Sequence, residues 1–89
     1  MITVYVLKSL LDNATYVGMA KDADTRVKEH NAGRNRYTKG HLPLLIIYTE
    51  KHADWTLARV REKYLKTSAG KKWLIKKNGE SDESQGFPA

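Results

Sequence analysis

Ile2-Thr3-Val4-Tyr5-Val6-Leu7 and Ala14-Thr15-Tyr16-Val17-Gly18-Met19 are two short runs rich in β-branched and aromatic residues, and the segment between them ends in the turn-forming pair Asp12-Asn13. Such residues suit a pleated, half-buried surface, so the two runs read as the strands of a hairpin. A two-residue turn centred on Asp12 and Asn13 sets Tyr16 opposite Ser9. Side chains alternate between sheet faces, so any register that pairs odd-numbered with even-numbered residues leaves Tyr5 and Tyr16 on one face. The other class of register separates them.

Beyond Gly18 the pattern changes. Asp22 or Asp24 stands where a helix N-cap accepts from the free amides of the first turn, and Asn31-Ala32-Gly33 supplies a stop. Ala23 and Val27 form the thin apolar stripe of this helix, while Arg26 and His30, four apart, lie along its flank. Residues 33 to 43, GRNRYTKGHLP, read as an exposed loop, and Leu44-Leu45-Ile46-Ile47-Tyr48 as a buried third strand. Asp54 caps a second helix that runs to Lys66 and carries Leu57, Val60, Tyr64 and Leu65; Ser68 caps a third with Trp73, Leu74 and Ile75. Residues 79–89 show no apolar period and read as an acidic, disordered tail. The chain is thus expected to be one domain over residues 1–78 in the order β-β-α-β-α-α. That is an α/β fold in which a small three-stranded mixed sheet with a β-hairpin is covered by helices.

Charge narrows the partners. All sixteen Lys and Arg precede Gly79 and three of the ten acids follow it, which leaves +9 on residues 1–78. A body that basic is either a solvated surface or the footprint of a polyanion, and nucleic-acid backbones are the commonest polyanions. Arg34, Arg36 and Lys39 interleave with Tyr37 and His41 in the long loop, Lys71 and Lys72 begin the basic side of the third helix, and Lys21 follows the second strand. These six bases are the nucleic-acid-binding candidates. The chain has no cysteine, which excludes disulfides and zinc-thiolate sites, and it has neither a signal-peptide core nor a membrane-length apolar run. The expectation is a cytoplasmic protein with no membrane partner and an oligomeric state that the sequence leaves open.

The order of functional side chains is more specific. Val4-Tyr5, Tyr16-Val17-Gly18, Arg26 on the first helix and Glu62 within Ala58-Arg59-Val60-Arg61-Glu62-Lys63-Tyr64-Leu65-Lys66 together resemble the GIY-YIG nuclease superfamily over residues 2–77, in its short single-domain bacterial branch. Tyr16-Val17-Gly18 with Ala20-Lys21 is also similar to the nuclease domain of the excision-repair incision subunit. The resemblance implies hydrolysis of a nucleic-acid phosphodiester with one divalent cation, Mg²⁺ or Mn²⁺. It carries Tyr5 and Tyr16 to the two motif tyrosines, Arg26 to the helical arginine, His30 to a histidine four residues later in some members, and Glu62 to the metal-binding carboxylate. Two positions depart from the pattern. Thr3 replaces the first motif's glycine, and Met19 stands where the repair enzyme has lysine, with Lys21 the nearest cation to replace it.

The residues support that chemistry on their own. Phosphodiester cleavage needs positive charge on the non-bridging oxygens, an activated water and help for the leaving oxygen. Glu62 suits a hard cation that takes oxygen ligands, and Arg26 offers a planar fork of donors to the phosphate. A phenol near pKa 10 is a weak base unless cations depress it, whereas a histidine near 6.5 accepts a proton readily. Tyr5 is therefore assigned as base and Tyr16 as positioner, roles that can be exchanged, with His30 as direct acceptor or relay. Taken singly, the same residues have plain uses: cross-strand packing for the tyrosines, solvation for Arg26 and His30, and an ion pair with Lys66 for Glu62. The functional expectation is a divalent-metal-dependent, structure-directed DNA endonuclease. The alternative is a nucleic-acid-binding module of the same fold with weak or lost cleavage.

Overall fold

The structure is a computed structural model that describes residues 1–82, with side chains through Lys77. Strands β1 (Ile2–Ser9) and β2 (Thr15–Ala20) form the hairpin, with Tyr5 opposite Gly18 and Tyr16 opposite Leu7. The two phenols therefore share a sheet face. The turn is wider than the two-residue form expected, so Tyr16 does not face Ser9. Ser9 Oγ accepts from the amides of Leu11 (3.1 Å) and Asp12 (3.2 Å), Asp12 Oδ1 accepts from Ala14 N (3.1 Å), and Asn13 takes the left-handed φ of 64°. Short polar side chains that satisfy nearby amides stabilise this longer turn.

Strand β3 (Leu44–His52) pairs antiparallel with the other edge of β1, giving the order β2-β1-β3. The sheet is thus wholly antiparallel and not mixed. β1 alone carries buried side chains on both faces and takes the centre, and both of its neighbours run antiparallel to it. For the same reason β3 is a half-exposed edge and not a buried strand. It extends four residues past Tyr48 along β1, with a bulge that shifts the register between Val6 and Leu7.

Helix α1 (Ala23–Asn31) covers the face that holds Tyr5, Leu7, Ala20 and Leu44. Helices α2 (Trp55–Leu65) and α3 (Ser68–Asp82) cover the opposite face, where Ala58, Leu65 and Leu74 pack on Ile2, Val4 and Val6. Asp22 caps α1 by accepting from Thr25 N (3.1 Å), and Asp54 caps α2 by accepting from Leu57 N (2.9 Å). At α3 it is Thr67, not Ser68, whose hydroxyl accepts from Gly70 N (3.0 Å). Gly70 lets α3 start directly against the end of α2, since a Cβ there would lie 2.1 Å from the Tyr64 carbonyl oxygen. Leu57 and Val60 are exposed, because α2 meets the sheet through the narrower stripe Ala58, Glu62 and Leu65, and Ile75 of α3 is exposed as well.

Helix α3 continues through Gly79 to Asp82, where the sequence suggests a tail; a helical glycine costs only about 1 kcal/mol relative to alanine. Residues 83–89 of that expected tail lie outside the described residues. The loop after α1 carries one 3-10 turn, Lys39–His41, and is tied down at both ends. Asn31 donates to Leu44 O (3.1 Å) and accepts from Leu44 N (2.8 Å), while Ser9 Oγ donates to His41 O (2.6 Å). Among the described residues no helix is long and apolar enough to cross a membrane.

Candidate active site

Tyr5 lies on the central strand with its ring directed across β2, and Gly18 makes that possible. A Cβ at Gly18 would come within 2.5 Å of the Tyr5 hydroxyl oxygen and 2.6 Å of Cζ, so the glycine of Tyr16-Val17-Gly18 is the gap through which the phenol reaches the sheet edge. Helix α1 closes over it. The Tyr5 hydroxyl lies 3.5 Å from His30 Nε2 with the rings edge to face, and His30 Nδ1 lies 2.9 Å from Thr38 Oγ1. All three side chains are buried, with Tyr5 4 %, His30 7 % and Thr38 2 % exposed.

Burial dominates the electrostatics of this chain. It pushes the Tyr5 phenol above its ordinary value, opposed by Arg26 and reinforced by the carboxylates of Glu62 and Glu29. Burial also holds His30 below 6.5, and the Arg26 guanidinium one turn earlier on α1 adds to the effect. His30 is therefore neutral at neutral pH. A neutral imidazole donates from one nitrogen and accepts at the other, and both flanking hydroxyls can play either part. Tyr16 is also raised, by desolvation and by the Asp12 carboxylate. The Tyr16 ring packs against His41 with centroids 5.6 Å apart, and His41 Nδ1 in turn meets Asp12 Oδ2.

Tyr16 and His30 line one cleft of about 450 Å³ beside β2, together with Tyr37, Lys66 and Lys71. Arg26 and Lys21 line a second cleft of about 320 Å³, with Asp22, Glu29 and Trp55. The structure thus sets Arg26 beside the Tyr5–His30 pair but on a different surface from Tyr16. Arg26 Nε lies 3.7 Å from Glu29, on a half-exposed side chain that is free to swing. Glu62 lines neither cleft. It is almost buried at the sheet side of α2, 3.3 Å from Lys66 Nζ and 3.7 Å from Arg59 Nε. Its carboxylate nonetheless acts on the Tyr5 phenol, which it pushes up.

Among the described residues no three His, Cys, Asp or Glu side chains gather in a way that could hold a metal. A zinc site is thereby disfavoured, whereas one carboxylate completed by waters and a substrate phosphate is the usual arrangement for magnesium. Glu62 fits that role. Its two cationic neighbours are more than half exposed and can leave the carboxylate without unpacking the core.

Of the basic candidates, Lys71 lines the Tyr16 cleft and Lys21 the Arg26 cleft, while Arg34, Arg36, Lys39 and Lys72 are exposed and line neither. Lys21 thus shares a cleft with Arg26 and not with Tyr16. Met19 itself packs against the α2 side of the core. Three site residues escape a reading of the sequence: Thr38, which fixes His30; Asn31, which fixes the loop; and Lys66, whose pairing with Glu62 is foreseeable but whose place on the cleft is not. Only Asn31 carries a signal, as a polar residue at a helix end. The others depend on where the loop and α3 land.

Comparison with known proteins agrees with this geometry. The profile of the GIY-YIG catalytic domain matches residues 1–78. UPF0213 proteins of Staphylococcus aureus strains Mu3 and N315 are each 38 % identical to the chain over 72 residues, which is 80 % of this chain and 87 % of theirs. The solution NMR structure of a UPF0213 protein from Bacillus halodurans superimposes with a TM-score of 0.56 at 26 % identity, covering 100 % of this chain and 99 % of that one. With a tyrosine on each hairpin strand, a glycine gap between them, and a helix over each face of the sheet, the chain belongs to the GIY-YIG family as a short single-domain member of that nuclease superfamily.

Proposed function

We propose that the protein is a divalent-metal-dependent endonuclease that hydrolyses DNA phosphodiester bonds. The observation that carries this reading is the buried Tyr5–His30–Thr38 chain, with a neutral imidazole as the proton acceptor at its centre. Tyr5 alone carries less phenolate at neutral pH than a free phenol does, because burial raises its pKa. Its proton can pass to His30 Nε2 as its oxygen takes one from water, and Thr38 keeps the ring in register for that transfer. Tyr16, on the cleft wall, positions the phosphate or the water. Arg26 swings from Glu29 to the non-bridging oxygens. Glu62 would hold one Mg²⁺ or Mn²⁺, which when bound supplies positive charge to the phosphate and to the leaving oxygen.

The test is cleavage of plasmid, duplex, single-stranded and branched DNA with Mg²⁺, Mn²⁺ or chelator, alongside Glu62→Gln and Arg26→Ala. Metal-dependent nicking that each substitution reduces by about 100-fold or more is expected. Nicking that neither substitution reduces overturns the site. Binding without cleavage in every condition favours the module that binds nucleic acid and does not cut it.

A further inference from the structure

The cleft beside β2 has a composition that the hydrolysis itself does not require. Its rim carries Tyr37, which is 79 % exposed and belongs to neither core cluster, although its backbone is held: Tyr37 N donates to Asn35 Oδ1 (2.8 Å), and the next residue is the buried Thr38 that anchors His30. A large aromatic held by its backbone with most of its surface open to solvent is a stacking platform. Lys66 and Lys71 also line it and no carboxylate does; Lys66 reaches Glu62 (3.3 Å), whereas Lys71 has no acidic partner among the described residues. The second cleft differs, because Asp22 and Glu29 offset Lys21 and Arg26 there. An anionic ligand is thus drawn to the first. A volume of about 450 Å³ lies at the small end of the roughly 300–1,000 Å³ usual for small-ligand clefts, with room for one nucleotide and none for a duplex.

We infer that this cleft takes a single unpaired nucleotide of DNA, with its base stacked on Tyr37, its phosphate between Lys66 and Lys71, and Asn35 Nδ2 free to donate to the base edge. The inference rests on the nuclease reading for its choice of DNA and names the substrate class of that site: DNA with an unpaired nucleotide beside the bond to be cut. Base pairing would keep the nucleotide out of the cleft, so the preference for unpaired DNA comes from the entrance and not from sequence readout.

The test is binding in chelator, where nothing is cleaved. A duplex with one bulged 2-aminopurine and a fully paired duplex of the same length are titrated with wild type, Tyr37→Ala and Tyr37→Phe, and affinity and 2-aminopurine emission are read together. Wild type should favour the bulged duplex and dim its emission. Tyr37→Ala should lose about 5- to 150-fold in affinity for it and the dimming, while Tyr37→Phe keeps both. Because Tyr37 is exposed, folding of Tyr37→Ala, checked by circular dichroism, should be unchanged. Binding by Tyr37→Ala within about twofold of wild type, or undimmed emission with wild type, overturns the inference. If wild type cuts no substrate with any metal but binding still depends on Tyr37, the nuclease reading fails and the nucleotide site stands.

Discussion

Gly18→Ala is the smallest change that should disturb the candidate site. The added Cβ would meet Tyr5 at its hydroxyl oxygen (2.5 Å), Cζ (2.6 Å) and Cε1 (3.0 Å), the first two closer than a carbon tolerates. The ring has little room to retreat, because it is buried under α1 with His30 at its tip. Overpacking of this kind costs about 1–3 kcal/mol. Alanine recovers about 0.5–1 kcal/mol of that by restricting the unfolded chain. The net loss is then about 1–2 kcal/mol, which in a domain of this size lowers Tm by about 5–15 °C. A thermal melt followed by circular dichroism measures it, and a double-mutant cycle identifies its cause. In a Tyr5→Leu background the ring is gone, so Gly18→Ala should become neutral or stabilising, with a coupling energy of about 1–2 kcal/mol. The same cost in both backgrounds would refute the close approach and, with it, the explanation of why the motif ends in glycine.

Acid should weaken the fold through His30. Its folded pKa lies below the roughly 6.5 of an unfolded chain, so between those values the unfolded state binds more protons and stability rises with pH. Melts should therefore show Tm falling as pH drops below about 6.5, and His30→Gln should remove that part of the decline; parallel profiles for the two proteins would count against a buried neutral imidazole. Thr38→Val leaves one side of that imidazole without a partner and should cost about 1–3 kcal/mol in urea melts, with a changed His30 titration by NMR. Lys66→Ala removes the ammonium 3.3 Å from Glu62 and should tighten Mn²⁺ binding, read by electron paramagnetic resonance without DNA, whereas Glu62→Gln should abolish it. Asn31→Ala deletes both hydrogen bonds to Leu44 and should cost about 1–3 kcal/mol in stability while raising hydrogen exchange in the loop before β3.

The hairpin, the element order and the caps at Asp22 and Asp54 were legible because each rests on neighbours in the chain. Which strand lies in the middle was not. Leu44 to Tyr48 is the more hydrophobic run, yet β1 is central, because Tyr5 and Thr3 are packed as core residues and hydropathy does not count a buried phenol or hydroxyl that way. Met19 shows a similar limit. Spacing marks it as a missing cation, while the alternation of β2 points it to the opposite face, into the core with Val4 and Leu65. Glu62 was legible as an unusual carboxylate because it lies among Ala58 and Leu65 on the helix, and it is indeed almost buried. Its distance from both clefts depends on how α2 docks, which no local pattern encodes. Thr38 follows the same logic. Its partner His30 is eight residues earlier, beyond a glycine turn at Gly33 with φ of 79°, so no helical or strand period connects the two.

The central place of β1 also sets an order of assembly. As the chain emerges from the ribosome, β1 and β2 can zip together early, since their contacts are local. The other edge of β1 stays open until β3 has been made, and Glu62 arrives later still. Tyr5 is thus among the first residues in place and among the last to be enclosed. Once enclosed, the amides of β1 can exchange with solvent only through global opening, while the half-exposed side chain of Arg26 moves around it. The phenol becomes the fixed point of the molecule, against which every mobile part of the site is measured.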